Sequence, residues 1–191
     1  MLKIGIFALT LLIALPAQAA WQLEMGESNL SFASTKKSAI SEVHHFKSLT
    51  GSISNAGLAT TRIDLSSIES NIPVRNTRMQ NLLFEVGKFS HADINADIST
   101  LNIDKLAVGD TLQQSISFHV SLHGQSQDIS IPVRVIKLSN NRLWVSSVQP
   151  IIINASQFGL EAGVAALQKI ANLPSISTAV PVTFGLLFQQ K

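Results

Sequence analysis

Cysteine is absent from all 191 residues. Disulfides and thiolate zinc sites are therefore excluded, and the folded chain must rest on its apolar core. Charge is sparse, at 14% Asp, Glu, Lys and Arg. No lysine or arginine cluster occurs despite a pI of 9.1, so the concentrated positive face that nucleic acid demands is missing. There is no Gly-rich phosphate loop and no Gly-x-Ser-x-Gly elbow, which removes the usual signs of nucleotide binding and serine catalysis. Asp64, Glu69, Asp104 and Glu161 stand in separate contexts and form no carboxylate pair for acid–base work. Internal repeats, low-complexity tracts and linkers are also lacking, which leaves one domain.

What is present starts with a leader. Lys3 precedes an apolar run at residues 4–15, Pro16 breaks it, and Ala17-Gln18-Ala19 supplies a small-x-small cleavage site. This is the layout of a secretory signal peptide over 1–19, with a domain at 20–191 and a periplasmic destination. The run is too short to span a bilayer, which takes roughly 20 apolar residues. No cysteine follows it, so a lipid-anchored mature N-terminus is excluded. Without Lys3 the formal charge falls from +2 to +1.

The rest reads as short strands. Leu30, Phe32 and Ser34 alternate with polar or small neighbours, and so do Ala59, Thr61, Ile63 and Leu65. Ile94, Ala96 and Ile98 follow the same period. Ile116, Phe118, Val120 and Leu122 face one way and Ser115, Ser117, His119 and Ser121 the other. His123-Gly124-Gln125 turns the chain into Ile129, Ile131, Val133 and Val135. Asn140-Asn141 turns it again, and the run from Val180 to Phe188 closes the series. Period-two alternation predicts strands with one apolar face. Two stretches have helical spacing: 73–85, with Pro73 suited to a first turn, and 164–173, stopped by Pro174. Antiparallel strands of this kind must close into a barrel or stack as a sandwich. Periodicity chooses neither, and it leaves open whether the interior is hollow or filled by its own side chains.

Little else carries chemistry. His44 and His45 are adjacent and point to opposite faces of a strand. His119 and His123 share a face but sit about 13 Å apart at strand rise. His91 stands alone, and no metal site is expected. Trp21 and Trp144 are both expected in the core.

One stretch is more specific. Residues 63–70 read Ile-Asp-Leu-Ser-Ser-Ile-Glu-Ser, followed by Arg75-Asn76, Met79-Gln80-Asn81, Leu83-Phe84 and Lys88-Phe89-Ser90-His91-Ala92. Phe46-Lys47 with Gly51, Leu122-His123-Gly124 and Phe158-Gly159-Leu160 add to the pattern. In order and spacing this resembles the YceI-like polyisoprenoid-binding family over nearly the whole chain after the leader. The departures are Asn76 for the family's Asp, Phe89-Ser90 for its Tyr-Pro, His44-His45 in place of a Gly before Phe46, and no His on the helix.

The resemblance implies an all-β, lipocalin-like antiparallel β-barrel with one or two short helices. It implies a binding protein and no enzyme, with an isoprenoid lipid or quinone as ligand and no further cofactor. A homodimer and transient membrane contact are compatible with it. The apolar strand faces then offer Phe32, Phe46, Phe118, Val120, Leu122, Ile131, Val133, Phe184, Leu186 and Phe188 as a cavity lining, with Met79, Leu82, Leu83 and Phe84 closing one end. The alternative is a solid core of the same residues, which makes the chain a non-catalytic envelope interaction module with a filled barrel. Arg75 and Arg78 are three apart on one helix face. They are candidates for a head group, because guanidinium forks suit phosphate or carbonyl oxygens. The alternative is a salt bridge to Asp64 or Glu69.

Overall fold

A computed structural model describes residues 19–191, with side chains from Ala20 onward. The leader expected at 1–19 lies outside the described residues, apart from the backbone of Ala19. Twelve strands follow one another: β1 (Ala19–Leu23), β2 (Asn29–Lys36), β3 (Ile40–Phe46), β4 (Leu49–Ser54), β5 (Leu58–Asp64), β6 (Ile68–Glu69), β7 (His91–Asp97), β8 (Thr111–Leu122), β9 (Gln125–Ser139), β10 (Arg142–Ser147), β11 (Ile151–Asn154) and β12 (Ala179–Gln190). Helix α1 (Pro73–Arg78) runs into a π-helical turn at Met79–Leu83, and α2 is Glu161–Ile170.

The strands form one closed antiparallel barrel. β1, β4, β5, β7, β8, β9, β10 and β12 make a ring of eight, sealed where Trp21 pairs with Gln190 and Leu23 with Phe188. β2, β3 and β6 extend β1, β4 and β5 beyond short breaks, so several staves of the barrel are two strands end to end. β11 likewise continues β10 along β12. Eight staves leave an interior wide enough for side chains or one small ligand.

The expected strands are where alternation puts them. The β8–β9 hairpin turns on His123 and Gly124, which have φ of 53° and 75°, and Leu122 pairs with Gln125 across it. Two left-handed residues in a row suit the right-handed twist of the flanking strands. The stretch from Phe46 to Ser52, which alternates as one strand, is split between β3 and β4. β11 has no alternation signal, because Ile151-Ile152-Ile153 is a continuous apolar run. The helical stretches are offset: 73–85 is α-helical only to Arg78, and the second helix begins at Glu161 rather than 164.

The two ends of the barrel differ. One carries the β4–β5 turn, held by Ile98 N donating to Gly57 O, and the β9–β10 turn, with Gln190 N donating to Asn141 O. The other carries the β2–β3 turn, α1 and α2. There Lys36 bridges to Ile176, just beyond α2.

Candidate functional site

Inside the barrel is a cavity of about 250 Å³. One water needs only about 10–15 Å³ of such space. The interior is therefore hollow. Inward positions on every stave contribute to its wall: Leu30 and Phe32 from β2, Ala59, Thr61 and Ile63 from β5, Phe118, Val120 and Leu122 from β8, and Val180 to Phe188 at alternate positions of β12. Thr61 alone among the described lining residues has a polar side chain. α2 and the turn before it add Phe158, Leu160 and Val164.

Most residues expected at the cavity are on its wall: Phe32, Phe46, Leu83, Phe84, Phe118, Val120, Leu122, Ile131, Phe184, Leu186 and Phe188. Met79 and Val133 are not. Val133 is buried in a cluster with Ala96, Leu101, Ile116 and Ile131. Met79 is packed into the main core cluster. Leu82 is also off the wall, while its neighbours Leu83 and Phe84 reach it through the π-helical turn, which shifts the facing of the residues after α1. Sequence reasoning missed Ile151 and Ile153, and also Leu101 and Ile103, which sit in irregular segments with no period to read.

Aromatic rings connect the wall to the α1 rim. Phe84 and Phe46 have centroids 5.8 Å apart, Phe46 and Phe32 5.8 Å, and Phe32 and His44 5.2 Å edge to face. Beyond the rings the inward face turns polar. His44 is 1% exposed, and its Nε2 meets Ser34 Oγ at 2.8 Å, while its Nδ1 has no partner among the described residues. Burial holds His44 below its ordinary pKa, and the nearby Arg75 charge acts in the same direction.

Arg75 and Arg78 do not line the cavity. Arg75 donates to Glu42 Oε2 at 2.8 Å and to the Ser70 carbonyl at 2.6 Å. Its partner is thus Glu42 of β3, rather than Asp64 or Glu69. Lys36 shares the same carboxylate at 2.7 Å. The Lys36 hydrogen bond, then that of Arg75, pulls Glu42 down to about 2. Asn76, in place of the family's Asp, is fully used. Its Oδ1 accepts from Ser70 N and Oγ, and its Nδ2 donates to Glu69. Glu69 also receives Lys47, and is likewise lowered to about 2, chiefly by Asn76 and Lys47. These bonds fix the β6–α1 junction.

Three of the other four histidines have side-chain partners. His91 bonds to Ser90, His119 to Asp128, and His123 to Glu85 at 2.9 Å. Trp21 is core, 1% exposed, with Lys137 Nζ 4.6 Å above its ring. Trp144, expected in the core too, lies on the outer face. Its neighbours Leu143 and Val145 take the inward positions, and its ring covers Gly185, where an added Cβ would meet Cζ2 at 2.5 Å.

Comparisons with known proteins agree with this geometry. A family model described as a YceI-like domain matches residues 21–188. A solved polyisoprenoid binding domain from Saccharophagus degradans, implicated in plant cell wall breakdown, is 37% identical. The match covers 91% of this chain and 100% of that one, with a TM-score of 0.89. Burkholderia cenocepacia BcnA superposes with a TM-score of 0.64 at 16% identity, over 86% of this chain and 98% of its own. A YceI protein of Campylobacter jejuni gives 0.57 at 11% identity, over 78% and 84%. Those two show the fold alone. No curated protein matches the sequence.

Proposed function

This chain belongs to the YceI-like domain family, and from that premise we propose that it is an exported, periplasmic carrier that holds a long isoprenoid lipid, such as a quinone or polyprenyl derivative, in its barrel without catalysing a reaction. The observation that carries the reading is the cavity wall, which presents hydrocarbon on every stave and one hydroxyl, Thr61. An isoprenoid tail is long, branched and wholly apolar. It gains about 0.8 kcal/mol for each methylene-sized unit that leaves water, and such a wall asks for no polar contact in return. A polar substrate would have nothing to pair with there. The polyisoprenoid-binding description of the Saccharophagus degradans domain points the same way.

The ligand is held by the wall residues, among them Phe32, Phe46, Leu83, Phe84, Phe118, Val120, Ile131, Phe184 and Leu186. The arginines leave the head group elsewhere than in the cavity: Arg75 is committed to Glu42, and Arg78 remains available at the α1 rim. Organic extraction of the protein from its own cells, followed by mass spectrometry, is expected to release a prenyl chain. Thr61→Phe, which puts a ring into the open space, is expected to abolish uptake of added long-chain prenyl quinone while the circular dichroism stays β-type. Finding no prenyl chain and no uptake by the unmodified protein would end the proposal.

A further inference from the structure

Three elements meet at one rim of the barrel. Glu42 receives both Lys36 and Arg75, which ties α1 to the β2–β3 hairpin. Lys37 N donates to Ser175 O at 3.1 Å, and Lys36 bridges to Ile176. These bonds bring the segment leaving α2 alongside the hairpin turn.

This rim exposes aliphatic side chains. Ile40, Ile72, Val74 and Ile170 are 43–56% exposed. Cations lie among them. Lys37, Arg78 and Lys169 form no ion pair among the described residues. Glu42 is occupied by Lys36 and Arg75 and Glu69 by Lys47, which leaves Glu161 in the first turn of α2 as the acid there without an ion pair among the described residues, against three unpaired cations. The rim therefore carries net positive charge beside greasy surface. No described helix is long and apolar enough to cross a membrane.

We infer that this rim docks on an anionic bilayer surface, with Lys37, Arg78 and Lys169 against lipid head groups and Ile40, Val74 and Ile170 dipping into the interface. Charge complementarity selects the occupant. Unpaired lysines beside aliphatics suit anionic head groups, whereas protein interfaces are depleted in lysine. The same elements reach the cavity, through Phe32 of β2 and Val164 of α2. A docked barrel thus holds an apolar wall next to the bilayer, and a hydrocarbon tail passes between them with little exposure to water. Docking is a surface property and does not depend on the ligand reading, so vesicles free of isoprenoid test it separately.

The protein purified from its cells is sedimented with phosphatidylcholine vesicles, with and without phosphatidylglycerol. Binding is expected only with phosphatidylglycerol, and to fall as salt rises. The double variant Lys37→Glu, Lys169→Glu is expected to bind about tenfold more weakly or worse, from the loss and reversal of two lysine contacts. Lys105→Glu, exposed at the opposite end of the barrel, is expected to bind like the unmodified protein. All these sites are at the surface, and circular dichroism confirms that each variant is folded. Absence of binding, equal binding to both vesicle types, or equal losses in the double variant and Lys105→Glu would each overturn the inference.

Discussion

At the residue scale, acid stability is set largely by a few side chains around Glu42. Its carboxyl titrates near 4.5 when unfolded and at about 2 in the barrel. The stabilisation is complete above 4.5 and is lost as pH falls from there toward 2. His44 starts earlier. Buried and neutral, it holds its proton less well than in the unfolded chain, so stability begins to drop as pH falls below 6.5. Glu42→Gln is expected to flatten the acid limb between pH 4.5 and 2 without abolishing it, since Glu69 titrates in the same window. At neutral pH it should cost about 1 kcal/mol, the scale of a half-exposed ion pair. His44→Gln should remove the slope just below pH 6.5. Urea midpoints measured across pH check all three. None of this network was legible in the sequence. Arg75 stood out as a cation on a short helix, but Glu42 is 33 residues away in a strand whose pairing only the closed barrel defines. The inward apolar residues were legible, because alternation fixes facing without any knowledge of partners.

At the scale of elements, the contact between α2 and the π-helical turn decides how the α1 rim is covered. Gly163, in the first turn of α2, lies against this turn. A Cβ there would approach the Leu82 carbonyl oxygen to 2.6 Å and Leu83 Cα to 2.8 Å. Both are backbone atoms, so the helix itself would have to move. In a free helix Gly→Ala stabilises by about 1 kcal/mol. Gly163→Ala is instead expected to destabilise by about 1–3 kcal/mol, as overpacking does, and to displace Leu83 and Val164 on the cavity wall. The sign of the shift in urea midpoint is the decisive measurement. Strands and hairpins were read correctly where residues alternate, as in β8 and β9. β11 escapes such a reading because its outward residue is apolar too: Ile152 is 55% exposed between the inward Ile151 and Ile153, so its alternation of facing leaves no mark in the sequence. The first helix starts at Pro73 as expected, but propensity marks neither its change to π geometry after Arg78 nor the 3₁₀ turn at Ala155–Phe158 that lets the second helix begin at Glu161.

At the scale of the molecule, hollowness and closure are the properties that sequence patterning left open. Whether side chains fill a barrel depends on how staves tilt and on which residues fall opposite one another, and period two carries neither. The filled-core alternative fails on the cavity itself. Closure depends on β12, which pairs with β10 and β11 on one side and with β1 and β2 on the other. Ending the chain before Ala179 is expected to abolish cooperative thermal unfolding, not merely to lower its midpoint, because four strands lose their partner together.

That seam also constrains when the protein can fold. Trp21 meets Gln190, so the contact that completes the ring joins segments from opposite ends of the domain, and loop-closure entropy makes such pairing slow. A polypeptide emerging from its N-terminal side remains unsealed until the closing strand has arrived. Under the proposed export, threading through a narrow translocation pore uses that loose state, and the order of pairing provides it.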